Sequence, residues 1–482
     1  MQHRPEYHFT PESNWMNDPN GLIYFEGEYH LFYQYHPDSN VWGPMHWGHA
    51  VSRDMVHWEH LPIALYPDSL GYIFSGSAVI DWKNTSGLGQ KGKPPMIAIF
   101  THHNEDSEQA GGNQYQYQSI AYSNDKGRTW TKYQDNPVLH NPGIKDFRDP
   151  KVIWHEESGK WVMVLAVYDK VMIYHSPNLI NWTFSSEFGI ECDTRLWECP
   201  DLFPLTVGGS AEIKWVLLVS IQKDGPNKGS ATGYFIGDFD GKTFRADKEN
   251  QQWADYGKDN YAIVTWSDIP AEDGRRLALG WMSNWEYAES VPTESWRGAM
   301  TLPRELKLYK EGNDYHLRSL PIRELNSLNR NTTRLESQHI DGPSRIDFDT
   351  NGHLYKIELV FKDPGEGIVG VRISNGHGEC LDVCYGGADK VYYIDRTQAG
   401  DIKFNNAFAG VHIAPAGYKR ADVQMTIFLD VASVELFADN GGCVMTDIFF
   451  PSAPFDRIGI FGDPYPVILE SGSLTMLNNE LY

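Results

Sequence analysis

Three carboxylates stand in sequence surroundings that favour acid–base chemistry. Asp18 lies in WMNDPNG (residues 15–21), Asp149 in FRDP (147–150) and Glu198 in WECPDLF (197–203). A carboxyl group among aromatic rings and prolines is poorly solvated, so its affinity for protons can be tuned. Two such groups facing one glycosidic bond can carry out double displacement: one attacks the anomeric carbon, while the other protonates the leaving oxygen and then activates water.

Each carboxylate also has an interpretation without chemistry. Asp18 could simply form a turn, because aspartate is common in Asn-Asp-Pro turns. Arg148 could form a plain ion pair that keeps Asp149 ionised, and the proline that follows predicts an extended backbone for Asp149. Glu198 could be a buried structural acid, although Trp197 beside it is expected to desolvate the carboxyl group as a general acid requires. The three together favour catalysis, because each opens a different predicted strand pair.

The elements that must position these groups are predicted to be β-strands. Short runs of β-branched and aromatic residues recur between turn signals, which predicts an all-β chain. One pattern recurs along the chain: a strand ends in Ser or Asp, a short turn follows, and an aromatic residue comes next. The aromatic positions of this repeat are Trp58, Trp130, Trp182 and Phe244. The spacing suits one four-stranded blade with its loops, so a β-propeller is predicted, with recurrent hairpins in a large sandwich as the alternative. Propeller blades could aim all three carboxylates into one central funnel.

The chain changes character after Pro303. LPIREL (320–325) is followed by a polar run through Arg334, and alternating strands such as YKIELVF (355–361) and VQMTIFL (423–429) come after it. This pattern is typical of a separate β-sandwich. We therefore expect a propeller over residues 1–322, a linker over 323–338 and a C-terminal β-sandwich over 339–482.

Composition excludes several classes of function. The 482 residues carry 41 basic and 64 acidic side chains, a net charge of −23, so binding to nucleic acid is not expected. No run approaches the ~20 apolar residues of a membrane span, so no membrane insertion is expected. The opening residues lack the apolar region of a signal peptide, which predicts a cytoplasmic protein, or an extracellular or periplasmic one whose signal has been removed. The oligomeric state stays open.

The cysteines and aromatic residues add two further expectations. The five cysteines are few and odd in number, which predicts free thiols. Cys380 and Cys384 are not followed by further ligands at zinc spacing, so neither a metal nor another cofactor is predicted. The 16 Trp, 26 Tyr and 22 Phe suit the apolar faces of sugars, although packing between β-sheets would explain them equally well.

A series of motifs runs through about the first 310 residues in the order of one known family. The motifs are WMNDPNG (15–21), FYQYHP (32–37), WGHA (47–50), FSGSA (74–78), QSIAYS (118–123), FRDP (147–150), WECPDLF (197–203), GWMSNW (280–285) and WRGAMTLPREL (296–306). They resemble glycoside hydrolase family 32, the β-fructofuranosidases. The resemblance implies a five-bladed β-propeller followed by a C-terminal β-sandwich, and a retaining hydrolase that releases fructose from β-fructans (levan or inulin) and from sucrose through a covalent fructosyl-enzyme.

The resemblance also implies roles for individual residues. Asp18 would be the nucleophile, Glu198 the acid/base, and Asp149 the residue that binds the fructose 3- and 4-hydroxyls and stabilises the transition state. The residues that would form the fructose subsite are Trp15, Asn17, Gln34, Trp42, Phe74, Ser75, Arg148 and Trp281.

Within the family, two segments resemble bacterial levanases and exo-inulinases: the opening NWMND (14–18) and VPTESWR (291–297). Exo action is therefore expected, with an endo-acting levanase or a fructosyltransferase as the alternatives. A fructan-binding protein on an inactive propeller would have lost a carboxylate, and all three are present. Two departures from the family pattern are a loop over 102–113 that is longer than usual and Asn260, where an aromatic residue is usual.

Overall fold

The computed structural model describes residues 3–341, 345–349, 353–417 and 421–478. Its propeller strands are β1 (Asn14–Phe25), β2 (Glu28–His36), β3 (His46–Ser52), β4 (Trp58–Leu65), β5 (Tyr72–Ile80), β6 (Met96–His103), β7 (Gln116–Ser123), β8 (Thr131–Lys132), β9 (Phe147–His155), β10 (Lys160–Val167), β11 (Lys170–Ser176), β12 (Thr183–Gly189), β13 (Trp197–Thr206), β14 (Ile213–Ile221), β15 (Ala231–Phe239), β16 (Phe244–Ala246), β17 (Gln252–Trp253), β18 (Tyr261–Thr265), β19 (Arg276–Trp281), β20 (Trp296–Arg297), β21 (Arg304–Glu311) and β22 (Asp314–Pro321). A short helix, α1 (Glu105–Gln109), and a 3₁₀ helix, Ala288–Ser290, lie in the loops between them.

These strands form five antiparallel sheets arranged as blades: β1–β4, β5–β8, β9–β12, β13–β17, and β18, β19, β21 and β22. The first strand of each blade contacts the first strands of the two neighbouring blades, so β1, β5, β9, β13 and β18 form a closed ring. Strand β20 pairs in parallel with β1 through Asn14 and Trp296, which fastens the end of the propeller to its beginning. The prediction of a five-bladed propeller is confirmed.

The sequence repeat has a local structural cause. In three blades the indole N–H of the repeat tryptophan donates to the backbone carbonyl three residues earlier, at 2.9 to 3.1 Å, and a serine or Asp/Asn side chain accepts backbone N–H groups of the same turn. These tryptophans are Trp58, Trp130 and Trp182. The repeat therefore marks the turn that leads into the outermost strand of each of these three blades.

The remaining strands form two packed sheets. They are β23 (Asn329–Leu335), β24 (Gln338–Ile340), β25 (Arg345–Asp349), β26 (Tyr355–Lys362), β27 (Ile368–Ser374), β28 (Cys380–Gly386), β29 (Val391–Gln398), β30 (Val411–Pro415), β31 (Val423–Leu429), β32 (Ser433–Ala438), β33 (Cys443–Ile448), β34 (Arg457–Asp463) and β35 (Val467–Leu477), with 3₁₀ helices Arg323–Leu328 and Asp439–Gly441. One sheet has seven strands and the other six, and buried aliphatic side chains from both form one core. The prediction of a C-terminal β-sandwich is confirmed.

The segment expected to be a linker, 323–338, is ordered in the structure. It contains the 3₁₀ helix Arg323–Leu328 and strand β23, which pairs with β35 at the edge of the seven-stranded sheet. All but the last side chain of β23 are exposed, so its sequence is as polar as that of a loop. Polar side chains are normal on an edge strand, because only one of its sides is covered by a neighbour.

Buried ion pairs join the sandwich to the propeller. Arg304 of β21 donates to Asp255 at 2.8 Å and to Glu435 of β32 at 2.6 Å. His8 lies between Glu435 and Asp430 at 2.9 and 2.7 Å. Because an unpaired buried charge is costly, these contacts fix the sandwich against the blades. No helix in the described part of the chain is long and apolar enough to cross a bilayer.

Candidate active site

The innermost strands are irregular at one common end. The pairing register shifts within β1 between Met16 and Pro19, within β5 between Ile73 and Gly76, and within β13 between Glu198 and Asp201. Strands β9 and β18 have the same kind of shift at their beginnings. A β-bulge bends a strand and re-aims its side chains. All three carboxylates lie at bulges, and each bulge contains a proline, which cannot donate to a regular ladder.

Asp18 is a buried carboxylate that the protein leaves partly unpaired. Its Oδ2 accepts hydrogen bonds from the Ser75 hydroxyl at 2.7 Å and the Cys199 thiol at 3.4 Å, whereas its buried Oδ1 has no close hydrogen-bond partner among the residues that the structure describes. Burial raises the pKa of Asp18 to about 6, helped by the negative charge of Glu198 and opposed by the Ser75 hydrogen bond. At neutral pH Asp18 is therefore mainly ionised.

Asp149 lies beside the same thiol. Its Oδ2 accepts the backbone N–H of Cys199 at 2.9 Å, and the Cys199 thiol is 3.6 Å from that oxygen. Burial raises the pKa of Asp149 to about 7, although the charge of Arg148 acts in the opposite direction. Arg148 therefore favours the ionised form of Asp149, as the sequence predicts, but the desolvation of the carboxyl group outweighs this effect on the pKa.

The backbone of Asp149 also differs from the extended conformation that its proline predicts. Its φ is 63°, in the left-handed region, and the N–H of Asp149 donates to the Thr101 hydroxyl at 3.0 Å. Cys199 in β13 has a φ of 44° as well. Non-glycine residues adopt this conformation rarely, and such strain is concentrated at functional sites. Here it orients the carboxylate at the bulge.

Glu198 is held by two donors from different blades. Arg148 donates from Nη2 to Oε1 at 2.9 Å, and the Tyr261 hydroxyl donates to Oε2. Trp197, expected to desolvate Glu198, points to the other face of β13 and stacks on Phe235 with ring centroids 5.6 Å apart. This difference follows from the alternation of side chains along a strand. The guanidinium and the phenol fix the position of the acid instead.

The three carboxylates line one cavity of about 850 Å³ at this end of the propeller axis. Six of the predicted subsite residues line it with them: Asn17, Gln34, Trp42, Phe74, Ser75 and Arg148. The Asn17 side-chain oxygen accepts the Trp15 indole N–H at 2.8 Å, and this leaves the amide nitrogen of Asn17 to act on Asp18. The Gln34 amide nitrogen donates to Asn20 and to the Ile73 carbonyl, so its carbonyl oxygen is left as an acceptor.

Two predicted subsite residues, Trp15 and Trp281, do not line the cavity. Both are fully buried and pack against Trp285, with centroid distances of 5.9 and 4.8 Å. Trp285 is a lining residue that the motif analysis missed, although it lies in GWMSNW. The motif marks an aromatic cluster, and only the fold determines which ring reaches the surface. Trp15 and Trp281 support the wall of the cavity from behind.

The loop expected to be unusually long forms part of the rim. It contains α1, whose N-cap Asn104 accepts the backbone N–H of Ser107 at 2.9 Å. Glu108 of α1 lines the cavity, and both Glu105 and Glu108 approach His103 Nε2 at 3.2 Å. The His103 ring stacks on Phe74 with centroids 4.1 Å apart. His103, Glu105 and Glu108 form the only possible three-residue metal cluster found in the described ranges.

The opposite rim is supported by the sandwich. Arg396 of β29 is fully buried and donates to Asp259 at 2.6 Å and to the Tyr287 hydroxyl at 2.9 Å. Tyr287 lines the cavity, and Asp259 lies two residues before Tyr261, which donates to Glu198. A side chain of the β-sandwich therefore positions the segments that carry Tyr261 and Trp285. Sequence patterns have no signal for this contact, because its partners are far apart in the chain.

Sequence comparison decides the family. The model of the glycosyl hydrolases family 32 N-terminal domain matches residues 8–321, and that of the family 32 C terminal matches residues 323–471. The chain belongs to glycosyl hydrolase family 32. The resemblance that the motifs indicated is thereby confirmed, and it now extends to the sandwich.

Several named proteins are similar to this chain. A levanase of Bacillus subtilis is 49% identical over 93% of this chain, which spans 66% of the levanase. An extracellular exo-inulinase of Aspergillus ficuum is 38% identical over 93% of this chain and 90% of its own length. The crystal structure of an exo-inulinase from Aspergillus awamori superposes with a TM-score of 0.91 at 35% identity, covering 99% of this chain and 98% of that one. A β-fructofuranosidase of Schwanniomyces occidentalis, complexed with fructosyl-erythritol, gives 0.89 at 32% identity, with 98% of each chain covered.

Proposed function

We propose that this protein is a retaining β-fructofuranosidase that releases fructose from the ends of β-fructans, levan or inulin, and from sucrose. The observation that carries the proposal is the convergence of Asp18, Asp149 and Glu198 from three inner strands on one cavity. The levanase and exo-inulinase named above support the choice of substrate class. In our proposal the carboxylates supply the chemistry, and no metal or other cofactor takes part.

The first step forms a bond to Asp18. Its ionised carboxylate attacks the anomeric carbon of the terminal fructosyl unit, while Glu198 gives its proton to the glycosidic oxygen and the rest of the substrate leaves. The Oδ1 of Asp18 has no close hydrogen-bond partner among the described residues, which supports its role as nucleophile. Arg148 and Tyr261 orient Glu198 for the proton transfer.

The second step releases fructose. Glu198, now ionised, accepts a proton from water as the water oxygen attacks the same carbon, and the ester bond to Asp18 breaks. Asp149 would accept hydrogen bonds from fructose hydroxyls, and these bonds would strengthen as positive charge develops on the ring. Its position beside the Cys199 thiol, which also contacts Asp18, supports this role.

The shape of the cavity supports exo action. Below the carboxylates the propeller axis is blocked by Lys151, whose ammonium pairs with Asp201 at 2.8 Å and donates to the Thr265 carbonyl at 2.7 Å. A cavity with a closed floor receives a chain end more easily than a chain interior. We also propose that residues 1–322 form the catalytic unit and that the sandwich, over 339–482 after the segment 323–338, supports its rim through Arg396.

A time course of products from levan, inulin and sucrose, separated by size, tests the proposal. Exo hydrolysis predicts fructose as the first and main product from each polymer. Short oligosaccharides at early times would indicate endo action, and products longer than the substrate from sucrose would indicate a fructosyltransferase. No release of fructose from any of the three would refute the proposed activity.

A further inference from the structure

A second large cavity lies at the other end of the propeller axis. It has a volume of about 740 Å³ and is lined by the last residues of β5, the second half of β9, the middle of β13 and the segment after β18. The active-site residues lie at the beginnings of the same strands. The two cavities have no lining residue in common, and the buried pair of Lys151 and Asp201 separates them.

Two buried polar groups at this cavity lack hydrogen-bond partners in the part of the chain that the structure describes. Asp201 is fully buried and uses Oδ2 for Lys151 and Thr265, but its Oδ1 has no hydrogen-bond partner. The indole N–H of Trp154 is also buried and unpaired. Buried polar groups in folded proteins are normally satisfied, and a group left unsatisfied calls for an explanation such as a ligand or bound water.

Arg276 adds a cation to this wall. Its guanidinium lies 5.1 Å from the Phe203 ring centroid and makes no hydrogen bond or ion pair with a side chain or carbonyl in the described ranges. Lys83 covers Trp154, with its ammonium 4.4 Å from the ring centroid. The carboxylates of Asp201 and Asp268 face the same space, so donors and acceptors are both available.

The rim of the cavity carries an exposed aromatic ring. Trp82 is 61% exposed, and its indole N–H donates to Asp268 at 2.7 Å, which fixes the orientation of the ring. Ile213, on the other side of the cavity, is 57% exposed. A large exposed ring that is held rigidly beside polar groups is typical of a binding surface.

We propose that this cavity is a second, non-catalytic carbohydrate site that binds another segment of the fructan. A sugar matches it because the apolar face of the ring can stack on Trp82 while its hydroxyls both donate and accept. An anion would match Arg276 and Lys83 but would also meet the carboxylates of Asp201 and Asp268, in a protein of net charge −23. The identity of the sugar rests on the proposed function, and the site itself rests on the residues named here.

The test compares Trp82→Ala with Phe184→Ala, which removes an exposed ring, 51% exposed, on the outer strand β12. Both changes are made in the Asp18→Asn background, so that fructans are bound but not cleaved. Binding of levan and inulin is measured by affinity electrophoresis, and binding of fructo-oligosaccharides by calorimetry. We expect Trp82→Ala to weaken polymer binding about five- to tenfold and to remove one of two classes of sites, with no change for Phe184→Ala.

Kinetics with Asp18 intact supplies a second readout. Trp82→Ala should raise KM for levan or inulin about fivefold, with kcat unchanged and with sucrose kinetics unchanged, since sucrose is too short to reach both cavities. Arg276→Gln should also raise KM for levan or inulin. Polymer binding and KM equal to those of the Phe184→Ala control in both variants would overturn the proposal, as would binding of sulfate but not of fructans at the second site. Failure of the unmodified chain to cleave fructans would instead refute the proposed function.

Discussion

Replacing Asp18 by asparagine should make the protein more stable at alkaline pH while abolishing hydrolysis. The carboxylate is buried and repelled by Glu198, and its pKa is raised from 3.8 to about 6. One pKa unit corresponds to about 1.4 kcal/mol, so ionised Asp18 costs the folded state up to ~3 kcal/mol above its folded pKa. Asparagine keeps the shape and an acceptor for the Ser75 hydroxyl but carries no charge.

The effect has a definite pH dependence. The folded protein binds a proton at Asp18 more tightly than the unfolded chain does, so the cost is fully present above about pH 6. It decreases as the pH falls through 6 and disappears below the unfolded value of 3.8. The stabilisation by Asp18→Asn should therefore be largest at pH 8 and absent near pH 4.

Calorimetry at pH 8 and pH 4 measures this difference. For a protein of this size, a gain of ~3 kcal/mol in the free energy of unfolding corresponds to a rise in Tm of about 3–6 °C at pH 8. Asp430→Asn is a matched control, because it also removes one buried carboxylate. Burial would raise the pKa of Asp430, but His8 lowers it overall, so this variant should be less stable than the unmodified protein at pH 8. An unchanged or lower Tm for Asp18→Asn at pH 8, or an equal gain at both pH values, would refute the reasoning.

Four further predictions address the site. Tyr261→Phe removes the hydroxyl that donates to Glu198, so kcat should fall about tenfold with little change in KM; an unchanged kcat would mean that the phenol does not orient the acid. On the acid side, kcat/KM should decrease as the pH falls from about 7 to 6, because Asp149 and Asp18 become protonated there. A decrease that begins only near pH 4 would contradict the raised pKa values. Arg396→Met removes the only cation that pairs with buried Asp259 in the described part of the chain and should lower stability by about 3–5 kcal/mol, as measured by denaturant unfolding. A loss below about 1 kcal/mol would show that the sandwich does not support the rim. EDTA should leave hydrolysis unchanged, whereas a loss that added metal restores would refute the metal-free mechanism.

Features with local causes were predicted from the sequence. The blade repeat was visible because Trp58, Trp130 and Trp182 each bond to a carbonyl only three residues away. The segments that bear the three carboxylates were visible because each keeps its own short pattern of prolines and aromatic residues. The strand β23 within the segment 323–338 was not visible in the sequence, because an edge strand can be as polar as a loop.

Features that depend on distant residues were not predictable. The left-handed backbone of Asp149 is held by Thr101 and Cys199, which belong to other blades, and it overrides the preference set by the following proline. Two features depend on how the fifth blade packs against its neighbours. Tyr261 donates a hydrogen bond to Glu198, and Trp285 rather than Trp281 lines the cavity. A sequence motif indicates that an aromatic cluster exists, but not which ring faces the ligand.

Trapping the covalent intermediate tests the central claim most directly. In Glu198→Ala, β-fructosyl fluoride should still react, since fluoride leaves without a proton, whereas hydrolysis of the intermediate should stall without the base. Mass spectrometry of the digested protein should then show one fructosyl group on the peptide that contains Asp18, and none when Asp18→Asn is combined with Glu198→Ala. A fructosyl group on another residue, or an unmodified Asp18 peptide after one equivalent of fluoride is released, would contradict the account.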